Sequence, residues 1–144
     1  MKKFELDIND TCWESALTSV PELAGVYFAY ACYRGAEPNS WFSGPLVYIG
    51  EADNLRRRLG EHYANQDNHG GLDVRYERIW YTYALFTGGE SDRKRCEAAL
   101  VFKHKPVQNR LGVREFNYPA TAITLRGETR GLTPSFTVGV DVGA

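Results

Sequence analysis

Residues 25–64 run GVYFAYACYRGAEPNSWFSGPLVYIGEADNLRRRLGEHYA, and the side-chain pattern changes character twice along them. GVYFAYACY (25–33) is rich in aromatic and β-branched residues and predicts a buried strand, and LVYIG (46–50) predicts a second. Between them RGAEPNSWFSGP (34–45) is punctuated by Gly, Pro, Asn and Ser, which predicts a loop. Two strands joined through one loop most simply make an antiparallel hairpin, although this loop exceeds the roughly 2–5 residues usual for one. Beyond Gly50, Leu55, Leu59 and Tyr63 recur at helical spacing, with Asp53 or Asn54 placed to cap the helix. Gly60 inside it costs about 1 kcal/mol relative to Ala, so tertiary packing must hold this helix.

Working outward, Asp10 followed by TCWESALTSV suggests a short first helix with Asp10 as N-cap and Pro21 at its exit. QDNHGGLD (66–73) is turn-rich, RIWYTYALF (78–86) predicts a third strand, and Ser91 is placed to cap a second helix that Pro106 stops. The tail holds two β-like runs, TAITLR (121–126) and SFTVGV (135–140), expected to form a closing hairpin. The expected fold is α+β: a β-β-α-β-α core with a three-stranded antiparallel sheet flanked by helices, extended by a C-terminal hairpin.

A length of 144 residues sets an expectation of one domain over 1–144, with its core at about 20–112 and a β-rich tail at 113–144. With 43% hydrophobic and 24% charged residues, the composition is that of a globular domain. No apolar run approaches the roughly 20 residues that span a bilayer, so no membrane role is expected. The opening MKKFELDIND lacks the apolar core of a secretory signal, and Cys12, Cys32 and Cys96 are odd in number and widely spaced. Both features lead to the expectation of a cytoplasmic protein with reduced thiols. There is no C-x-x-C pair, and His62, His69 and His104 do not have the spacing of a structural zinc site.

The net charge of −1 argues at first against a nucleic-acid partner, since affinity for phosphates comes largely from Lys and Arg. The distribution is uneven, however. Residues 1–53 carry 3 basic and 8 acidic side chains, net −5, whereas residues 54–114 carry 12 basic and 7 acidic, net +5. The basic segment is also where Arg58 and His62 stand four residues apart on one helical face, and where Glu97 and Asn109 follow.

Together these residues identify a resemblance to the GIY-YIG nuclease superfamily, which includes homing endonucleases, the amino-terminal incision domain of the bacterial nucleotide-excision repair nuclease, and some restriction enzymes. GVY at 25–27 resembles the first half of the motif, and Tyr48-Ile49-Gly50 is its second half intact. Arg58 lies where the family places its essential arginine, about ten residues after the second tyrosine. His62 matches a frequent histidine one turn later, Glu97 the single metal-binding glutamate, and Asn109 in KPVQN the asparagine that follows a proline.

The resemblance implies a metal-dependent endonuclease acting on DNA, with Tyr27, Tyr48, Arg58, His62 and Glu97 catalytic and Gly50 and Asn109 supporting. It implies Mg²⁺ or Mn²⁺ at Glu97, because such cations prefer oxygen ligands and keep several waters when one or two carboxylates hold them. A free phenol titrates near 10, so a tyrosine base needs a nearby cation, and Arg58 is placed to be one. Tyr48 is favoured as base and Tyr27 as the group orienting water or phosphate, though members of the family differ in how the two share the work. His62 is suited to orient or relay a proton. Arg56, Arg57, Trp41 and Lys103 are candidate nucleic-acid contacts, Trp41 by stacking.

Three departures stand out: GVY replaces GIY, the interval between the tyrosines is lengthened by the 34–45 loop, and Glu51 follows YIG where several members have a basic or small residue. Glu51 could add a metal ligand or repel DNA. Little sequence specificity is expected of a chain with so short a tail. A compact restriction-type enzyme and a non-catalytic binding module with a vestigial site stay open as alternatives, and so does the choice among single-stranded, double-stranded and branched DNA or RNA.

Overall fold

The computed structural model describes residues 1–13, 17–37, 40–64 and 78–140. Its elements are β1 (Lys2–Trp13), a 3-10 turn (Leu17–Ser19), β2 (Gly25–Arg34), β3 (Trp41–Ala52), α1 (Leu55–Ala64), β4 (Arg78–Leu85), α2 (Glu90–His104), β5 (Thr121–Gly127) and β6 (Ser135–Val138). The strands form one sheet of six in the order β3-β2-β4-β1-β5-β6.

The α+β class stands, but the three-stranded antiparallel sheet must be corrected to a six-stranded mixed one. The expected trio is present as one side of it, with β2 antiparallel to both β3 and β4. β1 is the unforeseen strand, antiparallel to β4 and parallel to β5 from Lys2↔Thr121 to Ile8↔Gly127. Its signal lay in strict alternation: Phe4, Leu6 and Ile8 are buried while Lys3, Glu5 and Asp7 are exposed. The expected helix after Asp10 is therefore replaced, as far as Trp13, by the end of β1 beyond a register irregularity between Asn9 and Cys12. The tail hairpin forms, with β5 antiparallel to β6, but β5 also extends the sheet.

The loop expected over 34–45 is shorter, because Arg34 pairs with Trp41 and Tyr33 with Phe42 across the hairpin. Gly35 N–H closes the turn on Ser40 carbonyl at 2.7 Å. The turn-rich stretch 66–73 lies outside the described residues, as do the side chains of Trp41, Phe42 and Tyr63.

β2 is buried on both faces, which is why it reads as a continuous apolar run rather than an alternating one. Val26, Phe28 and Tyr30 face the core under α2 with Cys96, Ala99 and Leu100, whereas Tyr27, Ala29 and Ala31 face the core under α1 with Leu55 and Leu59. Full burial of each of the larger aliphatic side chains and of Phe28 contributes about 1.5–3 kcal/mol. Those contacts offset the propensity cost of Gly60 in α1, and Asn54 Oδ1 caps the helix by accepting from Arg57 N–H at 3.0 Å. The N-cap of α2 is Gly89 rather than Ser91, without a side-chain cap. Its C-terminus turns out through Lys105 at φ 47°, ahead of Pro106.

Candidate active site

Residues directly opposite one another in an antiparallel pair share a face of the sheet. Tyr27 lies opposite Gly50 and Ala29 opposite Tyr48, so both motif tyrosines emerge on the α1 face. Gly50 is required by that geometry: a Cβ there would run into the Cζ and Oη of Tyr27. Gly25 is constrained likewise, since its Cβ would meet the Ala84 carbonyl on β4 and Leu55 on α1.

Helix α1 directs Leu55, Leu59 and His62 toward this face at i, i+4, i+7 spacing, and all three are essentially fully buried. The Tyr27 hydroxyl hydrogen-bonds with His62 Nε2 at 2.8 Å. The ring centroids of Tyr27 and Tyr48 are 6.1 Å apart, and that of Tyr48 is 5.9 Å from His62. Tyr81, opposite Ala29 on β4, completes the cluster with its ring 6.3 Å from Tyr27. Its place in the cluster was not foreseen, because nothing local distinguishes Tyr81 from Tyr83, the other tyrosine of β4. Arg58, one turn before His62, is within hydrogen-bonding reach of the Tyr27 hydroxyl, acts electrostatically on Tyr48 and contacts Glu61 at 3.3 Å.

A second group stands across the sheet edge on α2. Glu97 and Arg93 are four residues apart and share a helical face. Arg93 Nε donates to Glu51 Oε2 at 2.6 Å, and the two side chains are only 8% and 16% exposed. Glu51, the departure after YIG, is thus engaged by an arginine. It still acts electrostatically on Glu97 and Tyr48. A cleft of about 490 Å³ opens between α1, the end of β3 and the start of α2, lined by Glu51, Ala52, Asp53, Arg57, Arg58, Glu61, Glu90 and Arg93.

Burial sets the protonation of this region. It holds the Tyr27 phenol well above its usual range, reinforced by Tyr48 and opposed by Arg58. Tyr48, only partly buried, is raised by desolvation and by Glu97, again against Arg58. Burial opposes the charge on Arg58, but the neighbouring tyrosines and Glu61 outweigh it and hold the guanidinium above its ordinary value. The Glu97 carboxyl is pushed up to about 7 by burial first and Glu51 second, against Lys94.

Asn109 meets the outer edge of β3: its Oδ1 accepts from Ile49 N–H at 3.0 Å and its Nδ2 donates to Ile49 carbonyl at 2.9 Å. With Gln108 N–H donating to Val47 carbonyl at 2.8 Å, the segment after α2 continues the ladder beside Tyr48 and Gly50. Arg57 lines the cleft, bound to Asp53 at 2.6 Å. Arg56 turns away, its Nε donating to Val20 carbonyl at 2.6 Å and its Nη2 to Thr18 carbonyl at 3.1 Å. Lys103 lies over the Phe136 ring at 5.9 Å, apart from the cleft. Trp41 belongs to β3. Among the described residues no group of three or more His, Cys, Asp or Glu is gathered as for a metal ion.

The two motif halves face one another across a single hairpin, and the chain is similar over most of its length to proteins named UvrABC system protein C. The match is 32% identical to that of Thermosipho africanus over 111 residues, 77% of this chain and 18% of the relative. The chain belongs to the GIY-YIG nuclease superfamily. Further matches are the UvrABC system protein C of Bacteroides fragilis, 27% identical over 107 residues (74% of this chain, 16% of the relative), and of Desulfotalea psychrophila, 27% over 116 residues (80% and 18%). This GIY-YIG chain spans less than a fifth of the length of these relatives. No family model matches it, and no solved structure gives a significant match. No helix of the described residues is long and apolar enough to cross a membrane.

Proposed function

We propose that this chain is an endonuclease that hydrolyses phosphodiester bonds of DNA with a divalent cation and little intrinsic sequence specificity. The observation that carries this reading is the convergence of Tyr27, Tyr48 and His62 in one cluster with Arg58 beside it and Glu97 near enough to act electrostatically on Tyr48.

Tyr48 is the group to accept the proton of the attacking water. It is the motif tyrosine with partial access to solvent, and Arg58 beside it favours the phenolate. Tyr27 is sealed from solvent and hydrogen-bonded to His62, so it fits orienting Tyr48 and passing a proton inward rather than meeting substrate. Arg58, held charged, suits the non-bridging oxygens of the scissile phosphate. Asn109 fixes the Ile49 peptide and with it the aim of Tyr48. The donor set fits Mg²⁺ or Mn²⁺: Glu97 is a hard oxygen donor whose burial and neighbouring Glu51 disfavour its bare charge, and a single carboxylate leaves most of the coordination shell to water. A cation bound there would supply charge stabilisation to the leaving oxygen.

The test is digestion of a supercoiled plasmid and of labelled single- and double-stranded oligonucleotides with Mg²⁺ or Mn²⁺, beside Glu97→Gln and Tyr48→Phe. Metal-dependent nicking that ends in a smear, and that both variants lose, is the expected result. Cleavage surviving Glu97→Gln, or no cleavage of any substrate, overturns the reading; discrete bands would instead favour the restriction-type alternative.

A further inference from the structure

Arg93 is the most deeply buried cation on the cleft, with its residue surface 6% exposed. Its Nε is spent on Glu51, one of the five guanidinium N–H donors. Its two Nη groups make no hydrogen bond to any described residue, yet they are not among the side-chain nitrogens shut off from solvent. They therefore open on the cleft. The carboxylates beside them are each matched by a cation: Asp53 by Arg57 at 2.6 Å, Glu61 by Arg58 at 3.3 Å, and Glu90 by Lys94 at 3.5 Å. An anion entering the cleft would meet no unmatched carboxylate among these lining residues.

We propose that Arg93, aimed by Glu51, is a second phosphate-binding group of the cleft and takes a phosphodiester oxygen of the nucleic-acid backbone through its Nη edge. A guanidinium held at Nε presents a planar pair of donors that matches two phosphate oxygens, at little further loss of side-chain freedom. The phosphate it holds lies one helical turn from Glu97 and across the cleft from Arg58. Glu51 thus serves as the carboxylate that orients a binding arginine. The inference rests on the nuclease reading and extends it to substrate positioning.

The experiment is fluorescence-anisotropy titration of a fluorescein-labelled DNA duplex with EDTA present, across about 50–300 mM NaCl, on wild type, Arg93→Gln, Arg93→Lys and Glu51→Gln, with thermal unfolding of each. Arg93→Gln should weaken binding about tenfold at the lowest salt and reduce the slope of log K against log salt by about 0.9, one phosphate contact. Arg93→Lys should regain the slope but only part of the affinity, and Glu51→Gln should keep the slope while losing about threefold in affinity. Wild-type affinity and slope in Arg93→Gln overturn the proposal. So does a lowered melting temperature in Arg93→Gln and Glu51→Gln alike with the slope unchanged, which makes the pair structural only. Should Arg93→Gln not fold, Arg93→Lys decides: weaker binding at an unchanged melting temperature supports the proposal, and wild-type affinity overturns it. Absence of binding by the wild type to the duplex and to its labelled single strand alike would instead sink the nuclease reading itself.

Discussion

Tyr27 belongs to the tyrosine cluster under α1 and Glu97 to α2, and burial pushes both toward their uncharged forms. Around Tyr27 the consequence is a finished arrangement: the hydroxyl is satisfied by His62, the rings of Tyr48 and Tyr81 pack about it, and Gly50 leaves the space the ring needs. Around Glu97 the arrangement is electrostatically open. Arg93 matches Glu51, while burial first and Glu51 second push the Glu97 carboxyl up to about 7. A neutral hydrogen-bonded cluster can be fully preorganised by packing, whereas a carboxylate at a half-buried position is completed by what binds it.

Four experiments would break or sharpen that contrast. The largest effect concerns turnover. Under the proposed mechanism Tyr48→Phe lowers the cleavage rate about 10²–10⁴-fold, as loss of a general base does, with DNA affinity kept. Since the Tyr48 phenol lies above its usual range, the wild-type rate should climb tenfold per pH unit through neutrality, and more steeply below about 7, where protons also compete for Glu97. A pH-independent rate would remove Tyr48 as the base.

Next in size is packing on the tyrosine side. Gly50→Ala should cost about 1–3 kcal/mol by overpacking against Tyr27, read as a lower urea midpoint. On the carboxylate side, the folded-state pKa of Glu97, about 7, exceeds its ordinary 4.5. The protonated carboxyl then favours the fold fully below about 4.5, and that contribution is lost as pH rises through 7. Glu97→Gln does not titrate, so it should match wild type in acid and exceed it by about 3 kcal/mol at pH 8 without metal. Adding Mn²⁺ should raise the melting temperature of wild type alone. The smallest effect is Gly60→Ala, which should stabilise by about 0.5–1 kcal/mol, because a Cβ there meets nothing within 4 Å.

Much of this site was legible before any coordinates. The β2–β3 hairpin, α1, β4 and α2 follow from period and punctuation, and Tyr27, Tyr48, Arg58, His62, Glu97 and Asn109 were named by their match to the motif of the GIY-YIG superfamily. What escaped had physical reasons. β1 carries a clear alternation, but its Asp10 also resembles a helix cap, and only the pairing of Cys12 and Trp13 with Tyr81 and Trp80 of β4, far along the chain, decides between strand and helix there. The 34–45 loop looked long because Gly and Pro punctuate it, yet cross-strand pairing extends both strands into it. Arg56 and Lys103 belonged to a basic segment whose members charge counting cannot separate; their partners, the Val20 carbonyl and the Phe136 ring, are non-local.

The amino-acid sequence by itself determined which chemical groups this protein has at its disposal and the local elements that carry them, because helical and strand periods, caps and glycine positions are encoded within a few residues. Only the tertiary structure decided how those groups meet: that Tyr27 is sealed against His62 while Tyr48 keeps access to solvent, that Glu51 is held by Arg93 rather than left as a bare acid beside Glu97, and that the sheet has six strands instead of three. Burial, desolvation and long-range pairing act between residues distant in the chain, so no local pattern records them.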